Sequence, residues 1–564
     1  MTRKASPWRA RSTASASWWY RRPIPTGAPA CWRPWMSYAK PWGEVLRTPG
    51  IELACIHDHP SITISPTPAR LLSHTARAPM NLTSLLVGIL LLPAQPTAKL
   101  DVEVSFSKSV ASDAFTGRVF VMATKTASKG APPGLNWFNP QPCYAQDVVK
   151  WTPDAPLKFQ PTVGHPKPWG EFGKDKVYLQ AILDRDLGGQ SFTSSAGNAY
   201  SKPVLFDPEK PTPIKLVIDQ VIPERKFEEK GRVKYFEIES KLLTKFHGKP
   251  IKLRAGVVTP KSFAEDTTKK YPVIYDIPGF GGNHHFAHFL EARTDVAGVE
   301  MLYVVLDPSC RLGHHVFADS DNNGPYGKAL VEELIPQLEA KFRAIGKPGA
   351  RFVTGHSSGG WSSLWLQVTY PDFFGGTWST APDPVDFRDF QRVDIYDPKQ
   401  NLFNDAKGEP RPLARSAGKI LVRYKPFSDM EVVMGRGGQL QSFEAVFSPR
   451  GKDGRPMPLW DRNTGVIDLK VAKTWERYDI RLILERNWKT LGPKLAGKIH
   501  VYMGAEDTFY LEGATRFLQE SQKKLGGDAV IEIFPGKDHG NLLDAAMRKR
   551  IASEMAKKSV VRSP

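Results

Sequence analysis

Apolar positions along this chain follow two different periods. Between residues 100 and 222, the stretches "KLDVEVSFS", "GRVFVMAT", "KVYLQAILD" and "IKLVIDQVI" alternate apolar with polar residues and are separated by Pro, Gly and Asn. Alternation turns one face of each strand into a core, and short strands between frequent breakers predict an antiparallel β-sandwich. Past Lys230 the apolar runs become continuous: "YPVIYDI" (271–277), "MLYVVLD" (301–307), "RFVTG" (351–355), "GTWST" (376–380), "KIHVYMG" (498–504) and "AVIEIF" (529–534). Such runs predict strands buried on both faces, as in a parallel sheet. "GKALVEELIPQLEAKFRAI" and "LEGATRFLQESQKKLGG" carry apolar residues at three- and four-residue steps, the second closing on Lys and then Gly as a helix does. Strand and helix in alternation predict an open, doubly wound, mostly parallel α/β sheet with helices on both faces. The expected organisation is a β-sandwich-like domain over 99–225 followed by an α/β domain over 230–555.

Residues 1–79 show neither period and hold six of the fifteen tryptophans. Then "MNLTSLLVGILLLPAQPTAKLDVEV" sets a methionine before about ten apolar residues, a proline and small residues ending at Ala98, the pattern of a secretory signal. The apolar stretch is too short for a stable membrane span. Translation is therefore expected to begin at Met80, with 80–98 removed on export to a secreted or periplasmic location and 1–79 read in frame upstream. The competing expectation is a disordered, tryptophan-rich extension followed by a buried or anchoring segment.

Composition adds limits. Hydrophobic residues at 41 % and charged residues at 24 % suit packed domains rather than a disordered chain. The net charge of +19 suggests nucleic acid, but +8 of it falls in residues 1–79 and no Lys/Arg run stands out in the rest, so a basic surface without a nucleic-acid partner is expected. Four cysteines, Cys31, Cys55, Cys143 and Cys310, lack the close pairing of a zinc site; Cys143 and Cys310 are a candidate bridge if the protein is exported.

The chemistry centres on "RFVTGHSSGGWSSLW" (351–365). A serine nucleophile must be held out of the backbone at a sharp strand-to-helix turn, where glycines two positions before and after remove clashing Cβ atoms. Gly355, Ser357 and Gly359 meet that demand between an apolar run and a helical one. Serine needs a base, and the base needs an acid that fixes its tautomer. "VYMGAEDTFY" places Asp507 just past one strand and "IEIFPGKDHGN" places His539 past the next, both on the carboxyl edge where open α/β sheets bind ligands. Glu506 and Asp538 compete as the acid, less well placed. For the oxyanion, the backbone N–H groups of Ser358 and of Phe280, in the glycine-rich "YDIPGFGGNHH", are the expected donors. His356, Gly281 and His314 are candidate substrate-binding residues.

Together "DIPGFGG", "FADSDNNGPYGKALVEELIP", "GHSSGG", "GAEDTFYL" and "DHGN" resemble the esterase branch of the α/β-hydrolases, which holds esterase D-like, feruloyl and enterochelin esterases. The resemblance spans about residues 250–545 and implies an α/β-hydrolase fold, a Ser357–His539–Asp507 triad and a Phe280/Ser358 oxyanion hole. Pro278 stands where many relatives have histidine, and an insertion at about 386–495 is expected to form a cap or edge over the site. The function implied is secreted carboxylic-ester hydrolysis through an acyl-enzyme, without cofactor or metal, on a small-molecule or polymer-linked ester; the oligomeric state stays open. A serine exopeptidase or an acyltransferase shares these residues, and a non-catalytic binding protein working through the sandwich is the rival from another class. "PPGLNWFNPQPCYAQD" offers aromatics for a sugar, a partner or a core edge.

Other motifs mislead. "DSDNNG" puts Asp319, Asp321, Asn323 and Gly324 at calcium-loop positions, yet Leu330 stands where a bidentate Glu is required, so the segment is expected to cap the helix from Gly327 and line the pocket. His284, His285, His288, His314 and His315 lack an acidic partner at ligand spacing and are expected to pack or face substrate rather than bind metal.

Overall fold

The computed structural model describes residues 100–559, all of which belong to one compact unit. Residues 1–79, the signal-like segment 80–98, Cys31 and Cys55 lie outside the described residues.

The β-rich part is a single nine-stranded sheet, not two hydrogen-bonded sheets face to face. Its strands pair antiparallel except Val102–Phe106 with Ile214–Val221, which run parallel. Alternation decides the faces: in Ile214–Val221 the residues Ile214, Leu216 and Ile218 are buried while Lys215, Val217 and Asp219 are exposed. Val104, Tyr144, Leu179 and Leu216, from strands spread across the sheet order, share one core, so the sheet curls around its apolar face. Cys143–Trp151, a strand that the sequence pattern did not reveal, carries Cys143 in its first position. Cys143 and Cys310 are separate free thiols, which rules against the candidate bridge.

The α/β part is built on an eight-stranded sheet whose strands, in chain order, are β1 (Val233–Glu239), β2 (Lys252–Val258), β3 (Val273–Ile277), β4 (Leu302–Leu306), β5 (Arg351–His356), β6 (Gly376–Thr380), β7 (Ile499–Gly504) and β8 (Val530–Phe534). Their spatial order is β1-β2-β4-β3-β5-β6-β7-β8. From β4 to β8 every pairing is parallel, while β1 and β2 pair antiparallel with each other and β2 with β4. This is the α/β-hydrolase sheet. Helices cover both faces of its central strands: all five residues of β4 and of β6 are buried. β1 and β2 escaped the sequence reading, since β1 is only partly buried and its residues mix charge with aromatics.

The helix expected from Gly327 runs from Tyr326 to Lys341 with a wider turn over Ala329–Leu334. Asp319 caps it, its carboxylate accepting from the Gly327 and Lys328 N–H groups. The 386–495 segment forms a hairpin (Pro412–Ser416 with Lys419–Arg423) and the helices Tyr424–Met434, Gln439–Phe447, Leu469–Trp475 and Ile480–Leu495. It is no detached cap. Its Phe427, Phe443, Trp475 and Leu484 share one core with Trp361 and Trp365 of the helix that follows β5. The β-rich part is tied to the insertion by Arg118, which donates to the Val432 and Val433 carbonyls, and by Arg436, 2.6 Å from Asp184.

Candidate active site

Strand β5 ends at His356, and Ser357 turns the chain into the helix Ser358–Thr369 with φ 61° and ψ −126°, a conformation that costs an L-residue strain. The glycines explain how so sharp a turn packs. A Cβ on Gly359 would sit 1.8 Å from the Ile277 carbonyl oxygen, and one on Gly355 2.3 Å from the Gly359 backbone. The turn is pinned by the Ser357 N–H donating to the Thr380 carbonyl at 3.0 Å and by the Asp383 N–H donating to the Ser357 carbonyl at 3.3 Å.

Beside it, the loop after β3 makes a turn in which the Gly282 N–H donates to the Gly279 carbonyl, with Gly281 at φ 80° as a type II turn requires. Phe280 thus occupies the turn's second position. Gly279 packs so closely on the serine that an added Cβ would lie 3.3 Å from Ser357 Cβ. Ser358 opens its helix, so its N–H belongs to the first-turn amides that have no intrahelical acceptor.

Asp507, in the loop after β7, and His539, in the loop after β8, meet with His539 Nδ1 2.7 Å from Asp507 Oδ2, both side chains buried. The other Asp507 oxygen accepts from the Phe509 N–H at 2.8 Å. Burial alone would lower the His539 pKa; the charge and hydrogen bond of Asp507 outweigh it and hold the imidazole above its ordinary value. The competing acids are otherwise placed: Glu506 is exposed, and Asp538 accepts from the Gly540 and Asn541 N–H groups in its own turn. The His539 ring lies 4.6 Å from that of His356 and 5.0 Å, edge to face, from that of Phe509.

A cavity of about 670 Å³ opens over Ser357, lined by Gly279, Phe280, Gly281 and His356 among others. Gly281 and His356 therefore stand where substrate-binding residues were expected. His314 does not line the cavity: it is buried behind the Gly279–Gly282 turn, its Nδ1 accepting from the Val316 N–H while Nε2–H donates to the Pro278 carbonyl at 2.9 Å. Burial pushes its pKa down to about 4, so it serves as a neutral prop under that turn. Residues 319–324 likewise do not line the cavity. His284, His285 and His288 gather around Phe227, with His284 Nδ1 3.0 Å from Asp307; among the described residues no group of His, Cys, Asp and Glu is placed to hold a metal ion.

Two contributors went unseen in the sequence, and a third, Trp137, falls in the aromatic segment that the sequence offered for a sugar, a partner or a core edge. Trp137, from the β-rich part, lines the cavity and packs on Phe280 (ring centroids 5.6 Å) and Phe509 (6.1 Å). Arg415, on the insertion hairpin, donates to the Asp507 carbonyl and pairs with Glu512 at 2.6 Å, bracing the acid's loop. Asp383, just past β6, is buried, lines the cavity and accepts from the Ser358 hydroxyl at 2.6 Å; burial raises its pKa to about 6. A carboxylate shortly after a strand's carboxyl end is the signal that marks Asp383.

The Esterase family model, described as "Putative esterase", matches residues 250–539. Among solved structures, the chain is similar to a ferulic acid esterase at 15 % identity over 57 % of this chain and 98 % of the other, TM-score 0.37. It is similar to FphF, a fluorophosphonate-binding serine hydrolase of Staphylococcus aureus, at 13 % identity over 58 % and 99 %, TM-score 0.35. For an S-formylglutathione hydrolase from Agrobacterium tumefaciens the values are 15 % over 57 % and 94 %, TM-score 0.33. A search of curated proteins finds no match.

Proposed function

The chain belongs to the Esterase family and is a carboxylic ester hydrolase, and from that premise we propose that Ser357, His539 and Asp507 hydrolyse the ester through an acyl-enzyme. Ser357 Oγ attacks the carbonyl carbon while His539 takes its proton and passes it to the leaving alkoxide. Asp507 fixes the His539 tautomer and stabilises the imidazolium. The Phe280 and Ser358 N–H groups receive the oxyanion, and water, deprotonated by His539, then releases the acid. The observation that carries the reading is Ser357's strained elbow at the floor of the cavity, together with the short His539–Asp507 contact.

Substrates are small-molecule or polymer-linked esters. Export is part of the proposal and is supported by the sequence pattern of residues 80–98; among the described residues no helix is long and apolar enough to cross a membrane. The test is a fluorophosphonate probe on the wild type, on Ser357→Ala and on His539→Ala. Labelling of the wild type alone, with turnover of simple esters lost by about 10⁴-fold in His539→Ala, supports the mechanism. No labelling of folded wild type, or nearly unchanged turnover in His539→Ala, defeats it.

A further inference from the structure

We propose that Asp383 binds an ammonium group carried by the substrate, beside the ester carbonyl that Ser357 attacks. The inference rests on the ester-hydrolase reading above.

Asp383 is 5 % exposed and lines the same cavity as Ser357. Its backbone is tied to the elbow through the Ser357 carbonyl. Its carboxylate accepts from the Ser358 hydroxyl at 2.6 Å, and Ser358 Oγ accepts in turn from Gln439 Nε2 at 3.2 Å, so a relay of donors from the insertion orients it. Of the charged groups that act on it most, His539 favours the carboxylate and Asp507 opposes it, and burial outweighs both. A buried carboxylate is costly to keep, and structures that retain one commonly use it on a ligand.

Its position adds to the cost. Ser358, which Asp383 holds by the side chain, offers through its backbone N–H one of the two oxyanion donors. A negative charge next to the oxyanion hole opposes the charge that grows on the carbonyl oxygen during attack. At neutral pH Asp383 is mostly ionised, since its pKa is raised only to about 6. A substrate ammonium bound there removes both penalties: it pairs with the carboxylate and places positive charge near the developing oxyanion. Trp137, Phe280, Phe443 and Phe509 line the same cavity and aromatic faces attract positive charge, although Arg293, Arg548 and Lys549 line it as well. A neutral isostere forgoes all of this, so the site discriminates by charge rather than shape.

The test compares esters of equal size on the wild type and on Asp383→Asn at neutral pH. Alanine ethyl ester against ethyl isobutyrate places the ammonium on the acyl limb; 2-(dimethylammonio)ethyl acetate against 3-methylbutyl acetate places it on the alcohol limb; ethyl lactate supplies a neutral donor. The expected result is a kcat/KM preference of about tenfold or more for the ammonium member of one pair, collapsing toward unity in Asp383→Asn. Preference absent from both pairs, preference surviving in Asp383→Asn, or ethyl lactate favoured as strongly as alanine ethyl ester overturns the inference. An independent measurement needs no variant: propylammonium chloride should inhibit wild-type hydrolysis of ethyl isobutyrate where 1-propanol does not, and equal effects of the two count against the inference. Fluorophosphonate labelling separates the levels. Lost labelling of the wild type tells against the ester-hydrolase reading itself, whereas intact labelling without charge preference overturns only the role of Asp383.

Discussion

His539 Nδ1 and Asp507 Oδ2 stand 2.7 Å apart with neither side chain open to solvent. Burial by itself would depress the imidazole pKa, but the carboxylate's charge and hydrogen bond raise it above 6.5. The base must be neutral to accept the Ser357 proton. Hence kcat/KM should rise with pH through a midpoint above 6.5 and be lost below it. Asp507→Asn removes the raising charge and frees the wrong tautomer. A profile whose midpoint moves down and whose plateau falls by about 10³–10⁴-fold is expected. An unmoved midpoint would assign the acid's role elsewhere.

A second pH effect falls on stability. The Asp383 pKa rises from 3.8 in the free side chain to about 6 in the fold, because burial disfavours the charged form. Folding therefore favours the protonated acid: the associated stability is fully present below pH 3.8 and is lost as pH climbs through about 6. Asp383→Asn keeps an acceptor for the Ser358 hydroxyl but carries no charge. In urea unfolding it should be more stable than wild type at pH 8 by on the order of 2 kcal/mol, with the gap closing toward pH 4. A gap independent of pH would mean that Asp383 pays no burial penalty.

The elbow's glycines admit a sharper test. A Cβ on Gly359 meets the Ile277 carbonyl oxygen at 1.8 Å, and both partners are backbone, so neither yields by rotating a side chain. Gly359→Ala should cost about 3 kcal/mol or more and abolish fluorophosphonate labelling of Ser357 even in molecules that remain folded. Wild-type melting and labelling in this variant would show that the helix after β5 sits further from β3.

How legible all this was in the chain differs by element. The six parallel strands were readable because most of their residues are apolar or small and the central ones are buried on both faces, as all five residues of β4 and of β6 are. β1 and β2 were not: β1 alternates buried apolar residues with Lys234, Glu237 and Glu239, and it reads like a surface strand of no particular sheet. Ser357, Asp507 and His539 could be nominated from the chain because a nucleophile elbow has a steric grammar and strand ends are countable. Asp383 shares the strand-end signal, but what makes it and Arg415 matter is a long-range contact, to Ser358 in one case and to the Asp507 carbonyl in the other. His314 shows the converse error. His314 was a candidate to face substrate, yet its hydrogen bonds run to Pro278 and Val316.

Trp137 tests whether the β-rich part belongs to the active site. Its ring packs on Phe280, whose N–H is a proposed oxyanion donor, and on Phe509, which itself meets the His539 ring edge-on. Removing it frees two rings packed against the proposed oxyanion donor and the proposed base, while its own half-buried position limits the loss of core. Trp137→Ala should therefore lower kcat/KM by about 10- to 100-fold with only a small fall in Tm. Where the loss lands distinguishes the roles: a fall in kcat marks positioning of the oxyanion turn, a rise in KM alone marks contact with substrate only. Unchanged values of both, measured on a small acetate ester and on a bulky one, would make the β-rich part a neighbour of the site rather than one of its walls.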